Sequence, residues 1–185
     1  MFSRWGLSWG GWLDNRRGEW WLIAQLILIG AHLLPPWPVP ATLGLEIWPR
    51  PLFSLGALVL LSGIVLALQA FLALGDSLSP LPSPKQDNIL VRSGPYNRCR
   101  HPLYQAVLVC SLGMVIALGS LLHLALLISL ALVLRSKAKR EERDLLALHP
   151  GYSSYQADTP AIIAGLPGLA LSLIHISEPT RPNEI

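Results

Sequence analysis

Charge is what this sequence has least of: only 14% of its 185 residues are Asp, Glu, Lys or Arg, against 52% hydrophobic, and its mean hydropathy is +0.47. One small soluble core cannot hide that much apolar surface, so a membrane is the expected solvent. Cysteine is scarce as well. Cys99 and Cys110 are the whole complement, too few to suggest a disulfide framework. There is no zinc-type spacing of Cys and His, no Gly-rich phosphate loop and no dinucleotide fingerprint. Neither a metal site nor a nucleic-acid partner is therefore expected. No short apolar region leads into a small-residue cleavage site, so a secretory signal is not expected either.

What is present is a series of apolar runs divided by prolines and basic clusters. Residues 1–19 carry Trp5, Trp9 and Trp12 beside Arg4, Arg16 and Arg17, the pattern of a segment lying on a membrane surface. Trp20 to Leu34 is the first expected span, stopped by Pro35-Pro36 because proline lacks the donor that a continuing helix needs. That run rises only about 22 Å, so it borrows Trp37 and local thinning to cross a core of about 30 Å. Residues 35–51 read as a short outer loop. Leu52 to Leu74 is the clearest span, with Gln69 as a long polar side chain read first as a helix partner. Residues 75–93 form a proline-punctuated loop that ends in a short extended piece, Ile89-Leu90-Val91.

From Pro102 to Leu134 there is no formal charge. One helix of that length would rise about 50 Å, far beyond the hydrocarbon core. Two short spans in a tight hairpin, hinged at Gly119-Ser120, fit better. His123 in the second arm reads as a packed or hydrogen-bonded core residue. Arg135 to Leu148 then continues the fourth span as a cytosolic helix. Leu134, Ala138, Leu145 and Leu148 share one face of it, and Glu141 falls on that face. A carboxylate there is costly unless paired, and a Lys137–Glu141 helical pair contributes only about 0.2–0.5 kcal/mol. Glu141 needs a partner from elsewhere.

The cations indicate which side that partner is on. Of the 14 Lys and Arg, Arg4, Arg16 and Arg17 precede the first span. Lys85, Arg92, Arg98 and Arg100 follow the second, and Arg135, Lys137, Lys139, Arg140 and Arg143 follow the fourth. With four spans all of these share one side, which the positive-inside rule assigns to the cytoplasm together with both termini. Glu141 then meets the stretch Gly94-Pro95-Tyr96-Asn97-Arg98-Cys99-Arg100-His101-Pro102-Leu103-Tyr104 at one membrane face. That stretch is either an interfacial anchor or the floor of a binding site.

These residues resemble a known family, the isoprenylcysteine carboxyl methyltransferases with their bacterial and phospholipid-methylating relatives. The likeness rests on Leu90-Val91, Gly94-Pro95-Tyr96, Arg100-His101-Pro102, Tyr104, Glu141-Glu142, Leu145, Tyr152 and Tyr155, with Leu74-Gly75 and Pro80-Leu81-Pro82 upstream. It covers about residues 71–167. The resemblance implies an all-α, polytopic membrane helix bundle of about four spans, with residues 1–170 as a single domain. Its cytosolic end would fold over S-adenosyl-L-methionine, in a bacterial cytoplasmic membrane. Carried over by position, Leu90, Val91, Tyr96, Arg100, His101, Leu103, Tyr104, Glu141 and Glu142 would hold the cofactor. Arg100 and Glu142 would be catalytic, and Lys137 would touch the acceptor where eukaryotic members have arginine.

The implied acceptor is lipophilic or delivered by the bilayer: an isoprenylcysteine-like carboxylate, a phospholipid amine or a small thiol. The residue chemistry agrees, since a sulfonium favours carboxylates and aromatic faces, and in-line methyl transfer asks mainly for alignment. The chain departs from the pattern at Gln105, where many relatives have glycine, at His149, where an aromatic is common, and at Asp158, in a usually basic stretch. The alternative is a non-catalytic multi-pass membrane protein whose basic collar is only an anchor. Residues 171–185 resemble the translation of a transposase sequencing adapter and are set aside.

Overall fold

The computed structural model describes residues 18–38, 48–75 and 90–162. The expected surface segment up to residue 17, most of both proline-rich loops, Ile89 and the adapter-like tail lie outside the described residues. Among the described residues there is no strand. The elements are α1 (Glu19–Ala31), α2 (Arg50–Leu74), a 3-10 turn (Gly94–Asn97), α3 (Pro102–Leu118), α4 (Leu121–Leu148) and α5 (Tyr152–Asp158). α2 and α4 are long and apolar enough to cross a membrane, while α1 and α3 are shorter apolar helices.

Local sequence sets the helix ends. Prolines occupy the first turns of α2 and α3, where a missing N–H costs nothing and φ is already helical. The long charge-free run divides at Gly119, which takes φ +56 and has the ring of Trp48 packed where a Cβ would stand. Ser120 then caps α4 by accepting from the His123 amide, satisfying one of the free N–H groups of its first turn. Two details differ from the sequence reading. The first apolar helix starts on a charged residue, Glu19, which is buried. It also ends at Ala31, short of the expected Leu34.

α1 packs on α4, α4 on α3, and α3 on α2. The α2–α3 contact has the clearest sequence cause. The buried residues of α2 are Gly56, Gly63 and Ala70, spaced seven apart, the repeat that keeps one seam facing a neighbouring helix. They meet Ala106, Cys110, Gly113 and Ala117 of α3. A Cβ on Gly56 would stand 2.3 Å from the Ala117 amide nitrogen, and one on Gly113 would stand 2.5 Å from that of Leu60. The backbones therefore touch, as small residues allow in helix pairs that have no hydrophobic drive between them in lipid. The rest of α2 shows leucine, valine and phenylalanine outward.

The helices alternate in direction, so the bundle has two unlike ends. At one, Trp37 exchanges hydrogen bonds with Ser120 and Trp48 Nε1 donates to the Ile116 carbonyl. Between the ends lies a buried polar seam, where His32 Nε2 meets Ser111 Oγ at 2.5 Å and His123 Nε2 meets the His32 carbonyl at 3.2 Å. His123 is fully buried and hydrogen-bonded, as its place in an apolar helix suggested. The other end carries the cations and carboxylates.

Candidate active site

α4 runs past its apolar part, and Leu130, Leu134, Lys137, Ala138, Glu142 and Leu145 are its buried residues on that side. The strip Cys99–His101 is held against this extension by the chain beyond α5. The Arg100 amide donates to the Pro160 carbonyl and the His101 amide to that of Ala161, both at 2.9 Å. Cys99 Sγ also lies on the Ala161 carbonyl, at 3.1 Å. Ala161 and Ile162 in turn enter the apolar cluster of Leu108, Leu130 and Leu134. The closing segment is thus anchored in the core, and it fixes where Arg100 and His101 can point.

Both point at Glu142. Arg100 Nε donates to Glu142 Oε1 at 2.8 Å, and His101 Nε2 lies 3.0 Å from the same oxygen. Gln156 Nε2 donates to the other oxygen at 3.0 Å. Arg100, His101 and Glu142 are all buried. A buried carboxylate is tolerated only when such partners replace water. Burial pushes the Glu142 carboxyl up, but hydrogen bonds and charge from His101 and Arg100 outweigh it and hold it below its ordinary value. Arg100 is further engaged by the carbonyls of Gln156 and Thr159.

The sequence reading placed Glu141 on the apolar face and sought its partner in the stretch 94–104. Tyr104 of that stretch does reach it, but the buried carboxylate that meets Arg100 and His101 is Glu142. The reason lies in the closing segment. α5 and residues 159–162 cover the flank of α4 that carries Glu142, and no pattern within α4 announces that cover. Leu148, expected on the buried face, is 44% exposed. Glu141 keeps a half-open position, its side chain 26% exposed, 3.7 Å from His101 Nδ1. It accepts from the Tyr104 hydroxyl at 2.8 Å. The Tyr104 ring lies parallel to His101 at 5.2 Å, with Lys137 Nζ 5.2 Å from its centroid. Lys137 is buried and donates to Gln25 Oε1 on α1 at 2.8 Å.

Six expected site residues therefore converge: Arg100, His101, Tyr104, Lys137, Glu141 and Glu142. Tyr96 is buried just behind them, its carbonyl accepting from the Tyr155 hydroxyl. Burial, then the charge of Glu141, pushes its phenol upward. Leu90 packs on the Leu145, Tyr152 and Tyr155 cluster. Leu103 and Val91 are half-buried and enter none of these polar contacts. Sequence reasoning missed Gln25, Gln156 and Thr159. Gln25 is a long polar side chain inside an apolar helix, which was a usable signal; Gln156 and Thr159 sit in an unpatterned stretch that offered none.

A helical bundle with two membrane-length apolar helices, carrying a buried Arg–Glu–His cluster at one end, defines the class: a membrane protein with an ionic site beside its helix ends. The chain belongs to the phospholipid methyltransferase family, which matches residues 52–149, more than half its length. It is also 35% identical over 99 residues to the cobalt-zinc-cadmium resistance protein CzcN of Cupriavidus metallidurans. That match covers 51% of this chain and 46% of the relative, so the chain spans under half of the relative's length.

Proposed function

We propose that the protein transfers a methyl group from S-adenosyl-L-methionine to a lipophilic acceptor at the cytoplasmic face of the membrane. Family membership supports the methyl transfer. The observation that carries the site is the meeting of Arg100, His101 and Tyr104 with Glu141 and Glu142 across about forty residues of sequence, at one end of an apolar bundle. The residues suit the cofactor. Among the described residues, Arg100 Nη2 and the Tyr152 hydroxyl are buried without a hydrogen-bond partner, and such orphaned donors suit a carboxylate. Glu141, half open beside Tyr104, is placed to accept from hydroxyls or an ammonium.

The cofactor, when bound, supplies an electrophilic methyl group. The chain's task is then to orient and to exclude water. Glu142 holds Arg100 and His101 in place, so that pair acts as positioning machinery. Glu141 and Tyr104 form the more accessible wall. Lys137, held by Gln25, sets a cation on the α1 side, where an acceptor would be met. An interfacial anchor would show its guanidinium to headgroups, whereas Arg100 is buried.

Incubating the purified chain with methyl-labelled cofactor and a total lipid extract tests this reading. A labelled lipophilic product is expected, and its identification distinguishes a carboxylate, amine or thiol acceptor. Absence of both cofactor binding and product, in folded protein, would leave the anchor reading in possession.

A further inference from the structure

A second polar group lies apart from the Arg100–Glu142 cluster. A cavity of about 780 Å³ is lined by Leu66 and Gln69 of α2, Gly94, Pro95 and Asn97 of the 3-10 turn, Arg98 and Cys99, and Gln105 of α3. The Cys99 thiol faces the Ala161 carbonyl, which leaves Gln69, Asn97, Arg98 and Gln105 as the polar lining. Among the described residues none of these four side chains makes a hydrogen bond or ion pair with the rest of the protein. Two amides on facing helices, a third amide and a guanidinium therefore line one cavity, with Gln69, Asn97 and Arg98 exposed and Gln105 half-buried. Among the described residues of the lining there is no carboxylate.

The charge sign of the lining decides the ligand. One permanent cation and several amide N–H donors favour an oxyanion, and no described lining residue favours an ammonium. The second clue is what lies beside it. Val65 and Leu72, four before and three after Gln69, share its helix face and are 45% and 77% exposed. With Leu58, Leu61 and Leu68 they make an exposed apolar stripe along α2. A ligand whose headgroup sits among the amides has a track for a hydrocarbon tail at once.

We propose that this cavity is a seat for the anionic headgroup of a lipid, with Arg98 as its cation, Gln69 and Gln105 as its amide clamp, and the outer stripe of α2 as the bed of the tail. Gln105 matters most for this chain, because a glycine there would remove one jaw of the clamp. The proposal does not depend on the methyltransferase reading. It concerns an oxyanion carried on a tail, for which a free inorganic oxyanion is the competing source.

Equilibrium binding to the full chain in a neutral detergent tests it, with dihexanoyl phosphatidylglycerol, dihexanoyl phosphatidylcholine and inorganic phosphate as probes. Saturable binding of the phosphatidylglycerol is expected, tighter than of the phosphatidylcholine and of phosphate. Arg98→Gln should weaken it about tenfold to a hundredfold, as expected for loss of a charged hydrogen bond. Gln105→Gly should weaken it by a smaller factor. Arg143→Gln removes one exposed cation elsewhere on the charged face and should leave the affinity unchanged. Equal weakening by Arg98→Gln and Arg143→Gln would show attraction to the charged face alone and overturn the seat. Equal affinity for both lipids would do the same, and phosphate binding as tightly as the lipid would overturn the tail. Each variant is first checked for wild-type helicity, and Gln105→Gly serves as the independent reading if Arg98→Gln fails that check.

Discussion

Arg100 Nε and Glu142 Oε1 stand 2.8 Å apart, with their side chains only 2% and 6% exposed. The two residues lie on different elements, and neither is tolerated at that depth without the other. Removing one partner of a buried ion pair costs about 3–5 kcal/mol.

The adjacent carboxylates should therefore fail in different ways. Glu142→Ala is expected to lower thermal stability strongly, by about 3–5 kcal/mol. Glu141→Ala should keep the fold and weaken cofactor binding by about tenfold to a hundredfold through loss of a charged hydrogen bond. Melting curves in detergent and titration with S-adenosyl-L-methionine separate the two. The same phenotype for both variants would undo the division of labour.

The pH dependence of stability follows from Glu142. Its carboxyl is held below the ordinary value of 4.5, so near that pH the folded chain binds fewer protons than the unfolded one. The stabilisation is complete above the ordinary value and is lost as pH falls through the lower folded value. The melting temperature should fall as pH is taken below about 5. Glu142→Gln should flatten that fall.

The α2–α3 contact predicts a size limit. Gly113→Val would put side-chain atoms into the Leu60 backbone, 2.5 Å from where the first of them stands. Overpacking of this kind costs about 1–3 kcal/mol or more. Reduced yield of folded protein, read by size-exclusion in detergent, is expected. Gly30→Ala, with nothing within 4 Å, is the matched control and should be silent.

Cys99 should be inert. Burial pushes its thiol up to about 11, although the His101 amide and Arg100 pull the other way, so almost no thiolate exists near neutrality. Iodoacetamide at about pH 8 is expected to leave Cys99 unmodified until the protein is denatured, as mass spectrometry would read. Rapid alkylation of the folded chain would mean the closing segment is open much of the time.

Orientation is tested by reporter fusions placed after residue 162. The basic clusters predict activity of a cytoplasmic reporter there. A signal from an external reporter alone would invert the proposed topology.

Much of the fold was legible because its causes are local. Proline starts, the Gly119 break and the apolar run lengths each act within a few residues. The site was half legible. Which motifs meet could be argued from charge and the cost of a carboxylate at an apolar seam. Which of Glu141 and Glu142 is buried could not, because the answer lies in Gln156, Thr159, Pro160 and Ala161, whose pairing with residues 99–101 has no periodic signature. The seven-residue spacing of Gly56, Gly63 and Ala70, which forms the α2 seam, was a sequence signal that the reading of the span passed over.

That late pairing also fixes an order of synthesis. Arg100 and His101 leave the ribosome some sixty residues before the Pro160 and Ala161 carbonyls that their amides reach. Until residues 156–159 emerge, Glu142 lacks Gln156, and Arg100 lacks the two carbonyls that help to satisfy it. The nascent chain can thread its helices first and set its ionic site last. A stop codon just short of residue 156 would leave a chain whose charged centre lacks Gln156, the Thr159 carbonyl and the segment that holds residues 99–101.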